Sequence, residues 1–262
     1  MEEAAIASFF MYDREVTNIN YREFLSYYKI KDPEIYKTLL PDTAVWRKSF
    51  SYNDPYVKHY FRHPAYNEFP VLGISYHQAQ LYCEWLTELY HQNPERDYKK
   101  VIYRLPTEAE WIYVANGGNE AAIYPWEGSY MRASNGDIKA NCLNFGSEVV
   151  YRDTLYKKDD NGLFQEIAIY RAGRHNLMGA AESLNDGADI TAPSKSYWPN
   201  AFGLYNMAGN ACEMVAEVGI THGGSWNDPE YYSQNHVRQF YTGEDSASSK
   251  RGFRFVMEVI EY

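Results

Sequence analysis

Apolar side chains recur at helical spacing in three stretches of the first half of the chain, and each stretch follows a capping residue. Thr17 or Asn18 caps the first stretch and Ser75 the second. Thr107 precedes the third, where Glu110 completes a capping box. The pattern predicts three helices, whose apolar faces are Tyr21, Phe24, Leu25 and Tyr28; Ala79, Tyr82, Cys83, Leu86 and Tyr90; and Trp111 with Ala115.

After Gly117 and Gly118 the helical spacing disappears, and short runs typical of strands alternate with turn residues. Asn161-Gly162 favours a tight turn between two such runs, so residues 146–185 are predicted to form a surface hairpin insertion. Four prolines between residues 40 and 70 argue against a long helix there and favour an ordered aromatic loop. The predicted strands are residues 4–11, 71–74, 149–155, 166–172, 202–207, 223–226 and 253–260.

The composition indicates one loop-rich α+β domain over residues 1–262. The chain has 45% hydrophobic residues, enough for a sizeable core, and lacks a linker-like stretch or an internal repeat. Its net charge of -10 argues against nucleic acid as a partner, because phosphate binding needs a basic face. No run reaches the ~18 apolar residues of a membrane helix. Glu2 and Glu3 precede the first apolar run, so a signal peptide is not predicted.

A glycine- and asparagine-rich segment at residues 200–213 is a candidate metal site. Gly209 supplies backbone freedom, and asparagine tolerates left-handed geometry. The carbonyl oxygens of Asn206, Gly209 and Ala211 can then point at one spot, with the Glu213 carboxylate closing the ring. Hard oxygen donors of this kind suit calcium. The alternative is a plain turn between two strands.

Four further motifs, in this order along the chain, carry a family resemblance. They are Glu15-Val-Thr-Asn18, Tyr103-Arg-Leu-Pro-Thr-Glu-Ala-Glu-Trp111, His222-Gly-Gly-Ser-Trp226 and Arg251-Gly-Phe-Arg-Phe255. Together with residues 200–213 they resemble the formylglycine-generating enzyme family, also called the sulfatase-modifying-factor domain. The resemblance implies a variant C-type-lectin-like fold. It covers almost the whole chain.

The resemblance implies two calcium sites that stiffen the loop-rich half. The second site is the one formed by Asn206, Gly209, Ala211 and Glu213. The first site has ligands whose pattern is matched here by Asn144, Phe145, Asp186 and Ala188.

The same resemblance bears on catalysis. The enzymes hold copper with two thiolates, about five positions apart, just after the Gly-Gly-Ser motif, and soft thiolates select Cu(I). Here residues 223–236 contain no cysteine. Cys83, Cys142 and Cys212 can form at most one disulfide. A metal-dependent oxidase with altered ligands would have to use Asp228, Glu230 and His236, which otherwise are polar loop side chains.

Residues 40–73 resemble a non-catalytic branch of the family, the gliding-motility lipoproteins of the type IX secretion system. That branch implies a calcium-stabilised scaffold that binds protein partners in the bacterial envelope. It also implies a periplasmic location at the outer membrane, with a lipid anchor outside this chain. A lectin-like receptor is a third alternative. The candidate binding residues for a ligand or partner are Trp226, Asn227, Asp228, Tyr231, His236 and Arg238, and aromatic side chains are expected to fill part of the pocket near them.

Overall fold

Five α-helices lie in the first 115 residues of the described chain. The computed structural model describes residues 6–48, 53–135, 137–143, 150–158, 164–172 and 188–262. The helices are α1 Asn18–Lys31, α2 Pro33–Thr38, α3 Asp54–His59, α4 Tyr76–Gln92 and α5 Glu108–Ala115. Short 3₁₀ helices occur at Thr43–Lys48, Pro64–Tyr66 and Glu230–Ser233.

Side-chain caps fix the starts of the three predicted helices, α1, α4 and α5. The side chains of Thr17, Ser75 and Thr107 each accept a hydrogen bond from the backbone N–H of the third helical residue. The side chain of that third residue in turn accepts a hydrogen bond from the backbone N–H of the capping residue. Two otherwise unpaired backbone donors are thereby satisfied at each start. The predicted helix starts are confirmed.

Nine strands form three small sheets in the described residues. The strands are β1 Phe10–Met11, β2 Lys100–Arg104, β3 Val150–Lys158, β4 Phe164–Ala172, β5 Cys212–Met214, β6 Ile220–His222, β7 Gln239–Phe240, β8 Arg251–Gly252 and β9 Val256–Glu261. The strand orders are β1-β9-β2, β3-β4 and β7-β6-β5-β8. Only β5 and β8 pair in parallel. The α+β class is confirmed.

The predicted hairpin exists, since β3 and β4 pair antiparallel from Val150 opposite Ala172 to Lys158 opposite Phe164. Its predicted turn, with Asn161 and Gly162, lies outside the described residues.

Three predicted strands are wrong. Residues 71–74, 202–207 and 223–226 are irregular. Each contains left-handed backbone, at Gly73, at Gly203 and Asn206, and at Gly223 and Gly224. A strand needs extended backbone, so these residues end the pairing even though their neighbours are apolar. The first and last strands are shorter than predicted, because only Phe10–Met11 and Val256–Glu261 are paired as strands.

The main core lies between α1, α4 and the segment that enters β9. Tyr82 on α4 stacks on Tyr21 at 5.9 Å and meets the edge of the Phe253 ring at 5.3 Å. All three rings are buried. Aromatic pairs in these geometries stabilise beyond their buried area, so this cluster joins the helices to the C-terminal sheet.

The segment between residues 40 and 70 forms short helices around a second, smaller core. Asn18 donates to the Tyr60 carbonyl at 3.1 Å and the Tyr66 carbonyl at 2.9 Å. The Tyr60 hydroxyl donates to the Pro70 carbonyl at 2.7 Å. These bonds anchor an otherwise irregular segment. The expected absence of a long helix is confirmed, although the short helices were not predicted.

Within the described residues, none of the helices has both the length and the apolarity needed to cross a membrane.

Candidate functional site

Left-handed residues bend the segment 200–213 as the sequence predicts. Gly203, Asn206, Gly209 and Asn210 have φ values of 81°, 50°, 73° and 63°. A side chain at Gly209 would collide with the backbone of Asn141, whose carbonyl carbon would lie 2.8 Å from the added Cβ. Gly209 is therefore needed for both its conformation and its close contact. The segment then straightens into β5.

Glu213 lies at the centre of a buried ion pair. Its Oε1 accepts a bond from Arg254 at 2.6 Å. Its Oε2 accepts one from Arg254 at 2.6 Å and one from the Trp111 indole at 2.7 Å. Nη2 of Arg254, which donates to Oε1 of Glu213, also donates to the Tyr205 carbonyl at 2.8 Å. One carboxylate thus connects α5, β5 and the start of β9.

Glu15 forms a second part of this buried polar cluster. Its carboxyl accepts bonds from the side-chain amides of Asn206 at 3.2 Å and Asn210 at 2.8 Å. Burial raises the pKa of Glu15 to about 8, although Arg254 opposes the effect. Asn210 also accepts from the Ala192 amide at 2.7 Å, so the cluster spans four separate parts of the chain.

The side chains of the second predicted calcium site are compatible with a cation. Asn206 is 4% exposed, and its Oδ1 has no hydrogen-bond partner. A carboxylate offers about four acceptor positions, and Glu213 uses three of them. An acceptor therefore remains on Oε1. The Arg254 charge opposes binding, so any ion must gain enough from the carbonyls of Gly209 and Ala211 to offset it.

The first predicted calcium site is described at one of its four positions. Asn144, Phe145 and Asp186 lie outside the described residues, and only Ala188, which is half-buried, is described.

The Trp226 side of the predicted binding loop is filled by aromatic rings, as expected. Trp226 is buried and stacks on Trp46 with ring centroids 6.0 Å apart. Its indole donates to the Ser249 carbonyl at 2.9 Å. Trp226 is therefore a core residue, and its assignment to a ligand surface was wrong.

Asp228 is also buried, and each of its carboxylate oxygens accepts a hydrogen bond, which the sequence did not indicate. Its Oδ1 accepts from Lys250 at 2.6 Å, and its Oδ2 accepts from the Ser225 hydroxyl. By contrast, Glu230 and His236 are exposed. The structure does not bring these three candidate metal ligands into one cluster. Among the described residues, no group of three His, Cys, Asp or Glu side chains is arranged to hold a metal ion.

The remaining candidate binding residues lie at or near the surface. Asn227 is half-buried, and Tyr231 is 57% exposed. Arg238 is exposed and pairs with Glu108 through two of its guanidinium nitrogens, Nε and Nη2. Glu108 in turn lies 2.8 Å from Nε2 of the buried His222. Trp226 and Arg238 thus have different surroundings rather than lining one pocket.

The contact between His222 and Glu108 was not predicted from the sequence. Burial lowers the pKa of His222, although Glu108 opposes the effect. Burial raises the pKa of Glu108, but bonds from Arg238 and His222 outweigh it and leave the pKa below its usual value. The Trp111 ring stacks on His222 at 5.1 Å, which links this pair to the Glu213 cluster.

All three cysteines are buried, and none of them forms a disulfide in the described residues. Burial raises the pKa of Cys212 to about 12 and raises that of Cys83 as well. The thiolate is the reactive and metal-binding form, so neither side chain has the environment of a reactive cysteine.

The sequence matches one family model over residues 1–259, described as the sulfatase-modifying factor enzyme 1-like domain. A protein from Bos taurus named inactive C-alpha-formylglycine-generating enzyme 2 is 26% identical over 200 residues, which cover 71% of this chain and 50% of that protein. The formylglycine-generating enzyme of Streptomyces coelicolor is 30% identical over 166 residues, which cover 63% of this chain and 35% of the enzyme. The chain thus spans half or less of the length of these relatives.

The structure is also similar to that of CarF. The TM-score is 0.56 at 18% identity, over 97% of this chain and 87% of CarF. At this identity the similarity concerns the fold alone.

Replacement of Arg254 by Met should lower the free energy of unfolding by roughly 3–5 kcal/mol, because Glu213 would keep a buried charge without its cation. Urea denaturation followed by tryptophan fluorescence measures the change. The double variant Arg254→Met with Glu213→Gln should recover part of the loss.

Lys37→Met is the matched control, since Lys37 and Glu34 are 65% and 83% exposed. It should cost less than about 1 kcal/mol. An Arg254→Met loss no larger than that of the control would contradict the importance of the buried pair.

Proposed function

The chain belongs to the sulfatase-modifying factor enzyme 1-like family, and we propose that it is a catalytically inactive member that binds protein partners. The observation that carries the proposal is the loop after Ser225. In the enzymes that the sequence resembles, this loop supplies two copper-binding thiolates. Here it contains no cysteine, and buried Trp226 and Asp228 fill its first half. A relative that is named inactive supports the same conclusion.

The altered-ligand oxidase has less support. Asp228 already accepts bonds from Lys250 and Ser225, so iron binding would have to move the Lys250 ammonium away or overcome its repulsion at a buried position. Glu230 and His236 are exposed and would have to turn inward. Each rearrangement has a cost that a preformed metal site avoids.

The exposed side chains between residues 231 and 240 favour partner binding. Tyr231 is 57% exposed and Phe240 is 76% exposed, with the exposed Arg238 between them in sequence. Aromatic residues and arginine contribute most to protein interfaces. We assign the partner-binding surface to Tyr231, Arg238 and Phe240. A lectin-like receptor would use the same surface, and a carbohydrate ligand is the alternative to a protein.

The partner class follows from the resemblance of residues 40–73 to the gliding-motility branch. Within this segment Trp46 packs against Trp226, and Tyr60 shares a hydrogen bond of 2.8 Å with Thr191. The segment of residues 40–73 therefore packs, through Trp46, against the loop after Ser225, which contains no cysteine. From the resemblance of residues 40–73 alone, we infer that the protein is periplasmic and is an outer-membrane component of the type IX secretion apparatus. A lipid anchor would lie outside this chain.

Calcium is the proposed cofactor, and its role is to stabilise the fold. Asn206, Gly209, Ala211 and Glu213 would hold one ion, and the unpartnered Oδ1 of buried Asn206 supports this assignment. A bound ion would fix carbonyl groups in a part of the chain with little regular structure. A second ion at Asn144, Phe145, Asp186 and Ala188 rests on the resemblance alone.

The inactive assignment predicts no oxidase activity. The protein, incubated with Cu(I) or Fe(II) and a cysteine-containing peptide, should consume oxygen no faster than the metal ion and peptide alone. The Streptomyces coelicolor enzyme provides the positive control in an oxygen-electrode assay. Stoichiometric copper or iron with oxygen consumption above background would show that the oxidase alternative is correct.

The partner surface predicts site-specific crosslinking. A photoreactive phenylalanine at position 231 should crosslink to one discrete envelope protein in living cells, because Tyr231 lies in the proposed interface. Tyr262 is 78% exposed and directly follows β9, which is in a different sheet from β7, so the same replacement there is the control. Identical adducts at both positions, or none at position 231, would be inconsistent with this surface.

The calcium assignment predicts that exhaustive chelation lowers Tm by roughly 5–10 °C, the effect of a ligand present at ~100 times its Kd. Calcium should restore Tm and magnesium should not. Asn206→Gly keeps the left-handed backbone but removes Oδ1, and should abolish most of the calcium response. The exposed Asn135→Ala is the control. A melting curve that chelation leaves unchanged would exclude a stabilising ion.

A further inference from the structure

Most buried ionisable side chains in the described part of the chain have a partner of opposite charge. Four such pairs are present: Arg104 with Glu110, Glu108 with His222, Lys250 with Asp228, and Arg254 with Glu213. Glu15 and Arg251 are exceptions. Glu15 accepts hydrogen bonds from the amides of Asn206 and Asn210, but a comparable set of partners is lacking at Arg251. Arg251 is 4% exposed, and no carboxylate of the described residues lies within ion-pair distance of its guanidinium group.

The contacts of Arg251 are all with neutral groups. One terminal nitrogen donates to the Ser246 carbonyl and, at 3.0 Å, to the Ser246 hydroxyl. The guanidinium carbon lies 3.8 Å from the centre of the Tyr241 ring. The Nε–H has no hydrogen-bond partner. Burial lowers the pKa of Arg251.

An arginine that is buried without a counter-charge costs free energy, because its hydration is lost and little replaces it. Its planar group has five N–H donors in a fork that matches carboxylate and phosphate oxygens. The serine hydroxyl groups that precede Arg251 in the sequence are further hydrogen-bond donors. The loop of residues 243–249 contains Ser246, Ser248 and Ser249, and it packs over the guanidinium through Ser246.

We propose that Arg251 and the serine-rich loop of residues 243–249 form a binding site for a small tetrahedral oxyanion of the phosphate or sulfate class. The half-buried Ser246 marks the side from which an anion enters. The anion replaces Ser246 at the guanidinium and reaches the free Nε–H. Glu244 and Asp245 are exposed at the rim and weaken binding by repulsion. This site is separate from the partner surface and does not depend on it.

The test is a titration with inorganic phosphate and with sulfate, at constant ionic strength set by chloride, followed by Tm and by calorimetry. The wild-type protein should show a saturable rise in Tm of a few degrees, about that of a ligand at ten or more times its Kd. Arg251→Met should remove the rise. Arg251→Lys keeps the charge but loses the fork, so it should weaken binding by about tenfold. Asp245→Asn should strengthen binding.

Arg62→Met is the control for the loss of one positive charge, since Arg62 is exposed. It should respond as the wild type does. If Arg251→Met does not fold, broadening of the phosphorus resonance of inorganic phosphate by wild-type and Asp245→Asn protein decides the question. O-phosphoserine in place of inorganic phosphate tells whether the site accepts a phosphate monoester or only the free ion. Equal responses in all variants, meaning an adventitious ion only, or no response in the wild type, would overturn the proposal.

Discussion

The ion pair between Glu213 and Arg254 is the interaction on which the rest of the structure depends. It lies where three parts of the fold meet, since Trp111 belongs to α5, Glu213 to β5 and Arg254 to the approach to β9. Both charged side chains are almost completely buried. A pair of this kind contributes modest net stability, but the loss of either partner is costly, so it specifies one arrangement of the three elements.

Amide side chains extend this constraint into the loop-rich half of the molecule. Asn210 bonds to Glu15 and Ala192, and Asn206 bonds to Glu15 and the Pro193 carbonyl. Regular strands would satisfy their polar groups through sheet ladders, whereas here side chains satisfy the irregular backbone. Rigidity in this half therefore depends on a connected polar network, and the same network supplies the oxygen atoms for which calcium is proposed.

Local features of the fold were predictable from the sequence, and contacts between distant segments were not. The starts of α1, α4 and α5 follow from the caps at Thr17, Ser75 and Thr107, because a capping box lies within four consecutive residues. The left-handed bend at Asn206 and Gly209 follows from residue type. By contrast, residues 202–207 and 223–226 were predicted as strands, although glycines in both segments adopt left-handed backbone. Glu15, Arg254 and Glu108 stand in recognisable motifs, but nothing in their spacing indicates which residues they contact.

The pairing of β1 with β9 has a consequence for how the chain is made. The Val16 amide bonds to the Phe253 carbonyl at 2.9 Å, and the Tyr12 amide bonds to the Phe255 carbonyl at 3.0 Å. Neither β1 nor β2 can therefore complete its sheet before β9 has been synthesised. Contacts of such long sequence separation slow folding and leave apolar surface exposed meanwhile. A chain that has not yet made β9 therefore leaves the partner surfaces of β1 and β2 uncovered.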